Sequence, residues 1–490
     1  MIISTVLIIA VSAAIIVNRF YLDGKPKIKR LVRCAVVAVS ILSITVNSYF
    51  AFNPIQKFFT YDMLESFSTD YYAVKAQSDI DADEGFFRYT GDRLSVNDNI
   101  RKGSNNTQQY WSLSNSSVSE FQDALRLNEP YYQWFNGFDE ITSVNTLNSV
   151  KYYYDAQNNK NTNIPYGYTE TETENVYRNE YYLPVGYTYD SYITREAFDS
   201  LPTSLDKQQA MLQGVVLEQE TEGYENITAT SVTEKHSGEL IIKSDYVTYE
   251  NNTFTVTKAG ETVYFAVEPQ AQSEFYISLS DISYTGTDTY SLYTDNTDVD
   301  PNNLYTPEDF ASLSKETQKQ VKKASRHFVQ QDEIEMYVGV LNSDKKVVNA
   351  KNVTYFTPKF DFYCGKSSFD VNLGYSEEGY SYVAIKFPYI GKYTFGDISF
   401  YSQTMELYTE SVKKLSEEVL QNVTYESNTL KGNISVSSDK LLCLSVPYSE
   451  GWTAYVDGEE VELLKANVMN MAIEISAGEH EVELKYSTPT

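Results

Sequence analysis

Tyr131, Tyr132 and Trp134 stand in the run YYQWF, and aromatic faces grouped in this way offer platforms on which sugar rings stack. The same residues build the cores of sandwiches and layered folds, and core packing is the commoner use. Two acidic turns have the oxygen pattern of a calcium loop, Asp79-Asp81-Asp83 and Asp298-Asp300-Asn302. Both lack glycine at position six and Glu at position twelve, where Thr90 and Asp309 stand, so a solvated turn or helix cap explains each. His236, His327 and His480 have no ligand-like spacing and read as surface or helix-end residues. Cys364 and Cys443 would pair only if their strands adjoin. No phosphate-cradling glycine loop, H-E-x-x-H, C-x-x-C or G-x-S-x-G occurs. The residues therefore name no catalytic group, no metal ligand and no cofactor. Among 67 Asp and Glu, any choice of a glycosidase carboxylate pair would be arbitrary.

The elements around these residues follow from composition. The chain has 490 residues, 39 Lys and Arg against 67 Asp and Glu, and a net charge of −28. That balance disfavours nucleic acid, because affinity for it comes from Lys and Arg neutralising phosphates. Three Cys exclude a disulfide scaffold and a four-Cys metal site. Aromatic content of 14%, with 43 Tyr, argues for packed cores rather than long disorder.

Residues 1–53 differ from the rest. Ile2–Val17 and Cys34–Phe52 are uncharged and apolar, near the length a spanning helix needs. Between them, residues 18–33 carry Arg19, Lys25, Lys27, Lys29, Arg30 and Arg33 against Asp23 alone. This predicts a transmembrane hairpin, helices 2–17 and 34–52, around a cytoplasmic basic loop. The remaining 437 residues hold 33 basic and 66 acidic side chains, net −33, and would lie outside the cell membrane. A cleaved signal peptide would need its basic residues before the apolar run, and here they follow it.

Further on, residues 54–220 read as a mixed α/β segment, with a loop at 157–173 and a helix near Leu205–Leu217. Residues 221–402 alternate with period two, as in ELIIKSDYVTYENNTFTVT, and predict a β-sandwich interrupted by a helix over 307–327. Residues 403–490 predict a helix and then further sandwich strands. The expected fold class is membrane-anchored and mainly β: two N-terminal transmembrane helices, then a mixed α/β segment and a jelly-roll-like β-sandwich outer region.

The last 50 residues carry the most specific pattern. Tyr448, Gly451, Trp452, Asp457 and Gly458 lie in P-Y-x-x-G-W-x-A-Y-V-D-G. Asn467 ends K-A-N, and Gly478, His480 and Tyr486 lie in A-G-x-H-x-V-x-L-x-Y. This resembles the end of the outer domain of the YfhO family of bacterial membrane proteins. Phe86–Tyr89, Asn145–Tyr152 and Leu183–Gly186 resemble that family's "YR", "LLxVKY" and "LPlG" segments. The resemblance implies relatedness to polytopic glycosyltransferases that move sugar from a polyprenyl-phosphate carrier to teichoic-type cell-surface polymers. The implied catalytic acid sits in an early outer loop that this chain lacks, so no catalytic residue carries over. The expectation is a partial member, with the last helix pair and the outer domain but no catalytic core. Its partners would be the bilayer, further membrane helices of the same enzyme and a surface polymer or glycan acceptor. The alternative is a membrane-anchored, non-catalytic glycan-binding protein.

Overall fold

The computed structural model describes residues 25–52, 83, 85–92, 97, 105–155, 164–268, 270–286, 290–294, 298–305, 311–319 and 332–489. The chain divides into two compact units, residues 1–71 and 72–490. In the first, one helix spans Pro26–Phe52, with Pro26 at the start, where its missing N–H is no loss. Lys27, Lys29, Arg30 and Arg33 therefore belong to its first turns, not to a loop. Beyond them the apolar run is broken by Ser40, Ser43, Thr45, Asn47 and Ser48. Among the described residues no helix is long and apolar enough to cross a membrane. That corrects the expectation of two N-terminal transmembrane helices; the run Ile2–Val17 lies outside the described residues.

The second unit is mainly β. A seven-stranded sheet is ordered Glu225–Asn226, Ser191–Thr194, Val215–Leu217, Leu464–Ala466, Asn470–Ile475, Lys440–Leu444, Gly186–Tyr189. Side chains alternate across a strand, and Lys440–Leu444 shows the consequence. Leu441 and Cys443 enter a core shared with helices, while Leu442 and Leu444 enter a second core on the opposite face. A strand buried on both faces has to be apolar throughout, as this one is after Lys440. The helices on the first face include Ser116–Ala124, Thr142–Leu147, Ser204–Gln213 and Glu406–Leu415. Thr203 and Asp206 close a capping box that fixes the start of Ser204–Gln213. The helix ends at Gln213, capped by Gly214, four residues before the sequence reading would have it, and Val215–Leu217 is a strand.

The opposite face is covered by a five-stranded sheet, Gln421–Tyr425, Thr429–Val436, Gly478–Tyr486, Trp452–Val456, Glu459–Val461. Its tightest turn is Asp457-Gly458, both at positive φ (52° and 84°), as a two-residue hairpin requires.

Residues 233–404 pack a four-stranded sheet (Thr233–His236, Asp397–Thr404, Ser273–Ser280, Phe369–Ser376) against a five-stranded one. The latter is ordered Gly238–Ile241, Thr262–Val267, Tyr382–Lys386, Glu333–Leu341, Val347–Phe356. Phe275, Ile277 and Leu279 meet Val263, Met336, Val338 and Val383 in their common core. The other face of Ser273–Ser280 carries Glu274 and Tyr276, which are buried against the helical body. Of the sequence helix 307–327, residues 311–312 and 315–319 are helical and 306–310 and 320–327 lie outside the described residues. Asp298, Asp300 and Asn302 fall in a strand, Asp298–Tyr305, not a turn. Asp79 and Asp81 lie outside the described residues.

Leu442→Ala should lower the free energy of unfolding by about 2–5 kcal/mol in denaturant titration, since it opens a cavity between two sheets. Glu460→Ala, exposed on the Asp457-Gly458 hairpin, should stay within about 0.5 kcal/mol.

Candidate functional site

A cavity of about 750 Å³ lies between the loop 127–140 and the outer face of the five-stranded sheet of the sandwich. The strand Glu333–Leu341 reads E-I-E-M-Y, so Ile334 and Met336 go into the core while Glu333, Glu335 and Tyr337 stay outside. These three line one wall of the cavity, with Asn349 and Lys351 of the next strand.

The facing wall is aromatic. Tyr131 stacks on Phe362 (ring centroids 5.6 Å apart) and lies 5.5 Å from Phe356 and 6.4 Å from Trp134. Phe356 in turn contacts Phe360 at 4.2 Å. Trp134 is oriented by its indole N–H, which donates to Asn136 Oδ1 at 2.6 Å. Tyr131, Trp134, Phe356, Phe360 and Phe362 all line the cavity. Phe362 remains exposed. Of the three sequence candidates, Tyr131 and Trp134 are brought together here. Tyr132 is not: its hydroxyl donates to Asp123 Oδ2 at 2.7 Å, and the Lys366 ammonium lies 4.7 Å from its ring centre.

Carboxyl groups form the floor. Glu129 is buried and accepts hydrogen bonds from the Asn136 backbone N–H and side-chain amide. Burial outweighs those donors and pushes its carboxyl from the ordinary 4.5 up to about 8. Glu274 is buried too and its carboxyl is also raised by burial, against donation from Thr142 and Tyr276. Asp139 and Glu140 stand consecutively at positive φ, 54° and 52°, a conformation that costs energy in non-glycine residues. Lys351 holds them there. Its Nζ donates to Asp139 O and Oδ1, both at 2.7 Å, and lies 2.6 Å from Glu140 Oε2. The Asn372 backbone N–H donates to Asp139 Oδ2 at 2.9 Å. Burial and Glu140 raise the Asp139 carboxyl to about 6 against the pull of Lys351. Burial acts to lower Lys351, but Asp139 and Glu140 prevail and hold its ammonium above the usual range.

The floor and the far wall were missed at the sequence level. Lys351 and Asp139 are 212 positions apart, so local spacing carries no signal of their meeting. The alternation that exposes Glu335 and Tyr337 was the one legible cue. Among the described residues no group of three or more His, Cys, Asp or Glu is arranged to hold a metal ion.

The terminal motif residues are spread along a different sheet. Trp452 is half-buried and packs 5.2 Å from Tyr486, its cross-strand neighbour. A Cβ on Gly451 would come 2.4 Å from Ser487 O, so only glycine fits. At the far end of the same strands, His480 Nδ1 meets Asp457 Oδ2 at 2.7 Å and Gly478 opens the last strand. Asn467 Oδ1 accepts from Val216 N at 2.9 Å, and Tyr448 O accepts from Asn115 and Ser117, both at 3.1 Å. These contacts tie side chains to backbone and to one another within the scaffold. Cys364 and Cys443 are both free thiols.

Two outcomes test the cavity floor. Glu129 binds its proton more tightly folded than unfolded, so its contribution is complete below about pH 4.5 and lost as pH rises through about 8. Unfolding free energy should fall across that window in the native chain. Glu129→Gln should remove at least about 1.4 kcal/mol of that fall, one pKa unit's worth. Lys351→Met should cost about 3–5 kcal/mol in denaturant titration, because it strands two carboxylates.

The profile of the family described as "Bacterial membrane protein YfhO" matches residues 1–490. The YfhO protein of Bacillus subtilis (strain 168) is 24% identical over 349 residues, covering 69% of this chain and 32% of that protein. The chain thus spans about a third of the length of that curated relative. Among solved structures, a mutant form of the arabinofuranosyltransferase AftD from Mycobacteria aligns with 52% of this chain and 26% of its own, at 8% identity and a TM-score of 0.15. The N-terminal CBM22-1-CBM22-2 tandem domain of Xyn10C from Paenibacillus barcinonensis aligns with 53% of this chain and 86% of its own, at 7% identity and a TM-score of 0.18. The family match covers every residue, and the chain belongs to the YfhO family of bacterial membrane proteins.

Proposed function

We propose that this chain is the non-catalytic, acceptor-binding part of a membrane glycosyltransferase that uses polyprenyl-phosphate sugar, and that its cleft seats a saccharide of a teichoic-type cell-surface polymer. The observation that carries the reading is the pairing of an aromatic wall, with Phe362 open to solvent, with a wall and floor of carboxyl and amide groups. Sugars present apolar C–H faces and hydroxyl edges, and such a cleft meets both. A volume of about 750 Å³ is within the range of sites that enclose small ligands. The sugar-transfer chemistry is assigned to parts of the whole protein beyond this chain, and none of its residues is given a catalytic role. The β-rich body would work on the outer face of the membrane, beside the bilayer and the enzyme's other segments.

The charge of the site shapes the ligand. Lys351 is the one cation among the residues lining it, against Glu129, Asp139, Glu140, Glu274, Glu333 and Glu335. With a net charge of −33 outside residues 1–53, a bare polyanion would be repelled at short range. The sugar units of the acceptor, not its charged backbone, are the groups this cleft suits.

Calorimetric titration of the purified full chain with a panel of neutral and amino-sugar oligosaccharides tests the reading. Binding is expected, and Trp134→Ala or Phe362→Ala should weaken it at least about tenfold, or 1.4 kcal/mol. Tyr132→Phe should leave affinity within about twofold. If no member of the panel binds, or if the aromatic variants bind as well as the native chain, the proposal fails.

A further inference from the structure

A second cavity, about 270 Å³, lies elsewhere in the 72–490 unit and plays no part in the cleft. Arg88 lines it, on the strand Arg88–Asp92. Its Nη1 donates to Asn148 O (3.0 Å) and Ser445 Oγ (3.3 Å), and its Nη2 to Ser445 O (2.8 Å). A guanidinium has five N–H donors, so Nε–H and one Nη2–H remain. The guanidinium carbon lies 4.9 Å from the centre of the Phe86 ring, and among the described residues no carboxylate pairs with this half-buried cation. Burial lowers its pKa to about 10.

Asn106 supplies an independent observation. It lines the same cavity and is only 7% exposed. Its Oδ1 accepts from the Gln108 backbone N–H at 2.8 Å, while its Nδ2 is buried with no partner. An orphaned buried N–H is costly and calls for an acceptor. The two side chains thus leave donors and no acceptor, under a net positive charge, in one cavity. Phe135, Phe138 and Met469 give the wall an apolar side, beside the polar Thr107 and Ser445, and an apolar side strengthens a charge-assisted bond.

We propose that this cavity is an oxyanion site, in which a phosphoryl or carboxylate group of a small ligand accepts from Arg88 Nε–H and Nη2–H and from Asn106 Nδ2. A planar fork suits either group bidentately. Arg88 also ties the chain through Asn148 and Ser445, so Arg88→Met alone would confound folding with binding. Asn106→Asp separates them. It keeps the Oδ1 that caps Gln108 and places a carboxylate where the anion would sit.

The purified full chain is titrated by calorimetry with inorganic phosphate, with glycerol 1-phosphate and, in a parallel arm, with glucuronate. Saturable binding of at least one is expected, and the arm that binds more tightly identifies phosphoryl or carboxylate as the natural group. Asn106→Asp should stay folded, as judged by an unchanged near-ultraviolet circular dichroism spectrum, and should weaken binding at least about tenfold. Trp134→Ala, in the other cavity, should leave it unchanged. The proposal is overturned if none of the three anions binds the native chain, or if Asn106→Asp binds them equally well. Neither result bears on saccharide binding in the cleft.

Discussion

One ammonium group ties the sandwich to the loop that faces it. Lys351 projects from mid-strand and bonds Asp139 and Glu140, which arrive in a strained left-handed turn. Their side chains are 14%, 10% and 28% exposed, so the pairs are largely shielded from solvent screening. Two carboxylates on one lysine leave a negative excess, which the raised Asp139 carboxyl partly relieves by taking up a proton near pH 6. The turn cannot relax without moving Asn372, whose backbone N–H and side-chain amide bond Asp139 and the Glu140 carbonyl. The tie works with the pairing of Trp134–Asn136 to Gln108–Tyr110 and the Asn128 bond to Asn352 O to position the segment 127–140.

That positioning links packing to function. An aromatic wall on a free loop would lose entropy whenever it closed on a ligand. Here the Lys351 tie anchors the loop to the same sandwich that forms the opposite wall, so the cleft exists before anything enters it. The terminal motif serves a different purpose. Gly451, Trp452, Asp457, His480 and Tyr486 set turns and strand ends in a sheet whose inner face covers Leu442 and Leu444. Family resemblance in those residues reports the scaffold, while the cleft is built from residues with no such pattern around them.

The sequence was most legible where a periodicity of two had a single cause. The alternation through 233–267 and 333–341 marks strands with one buried face, and the Asp457-Gly458 pair marks its hairpin without ambiguity. Legibility failed in four ways. Val215–Leu217 continues the apolar pattern of the preceding helix, and only Gly214 separates them. The run from Cys34 is apolar enough to suggest a membrane span, yet its helix begins at Pro26 within the basic cluster and carries Ser, Thr and Asn along its length. In YYQWF, adjacent rings have different fates because Tyr132 is drawn away by Asp123. Pairings such as Lys351 with Asp139 are long-range and depend on a topology that spacing does not encode.

Hydrogen–deuterium exchange of the purified full chain, with and without the tightest-binding oligosaccharide, tests most directly whether this preformed cleft is where sugar sits. The account predicts ligand-dependent protection of backbone amides in 127–140, 333–341 and 347–362, with the five-stranded sheet of 421–486 unchanged. Protection confined to residues outside those three segments would contradict it.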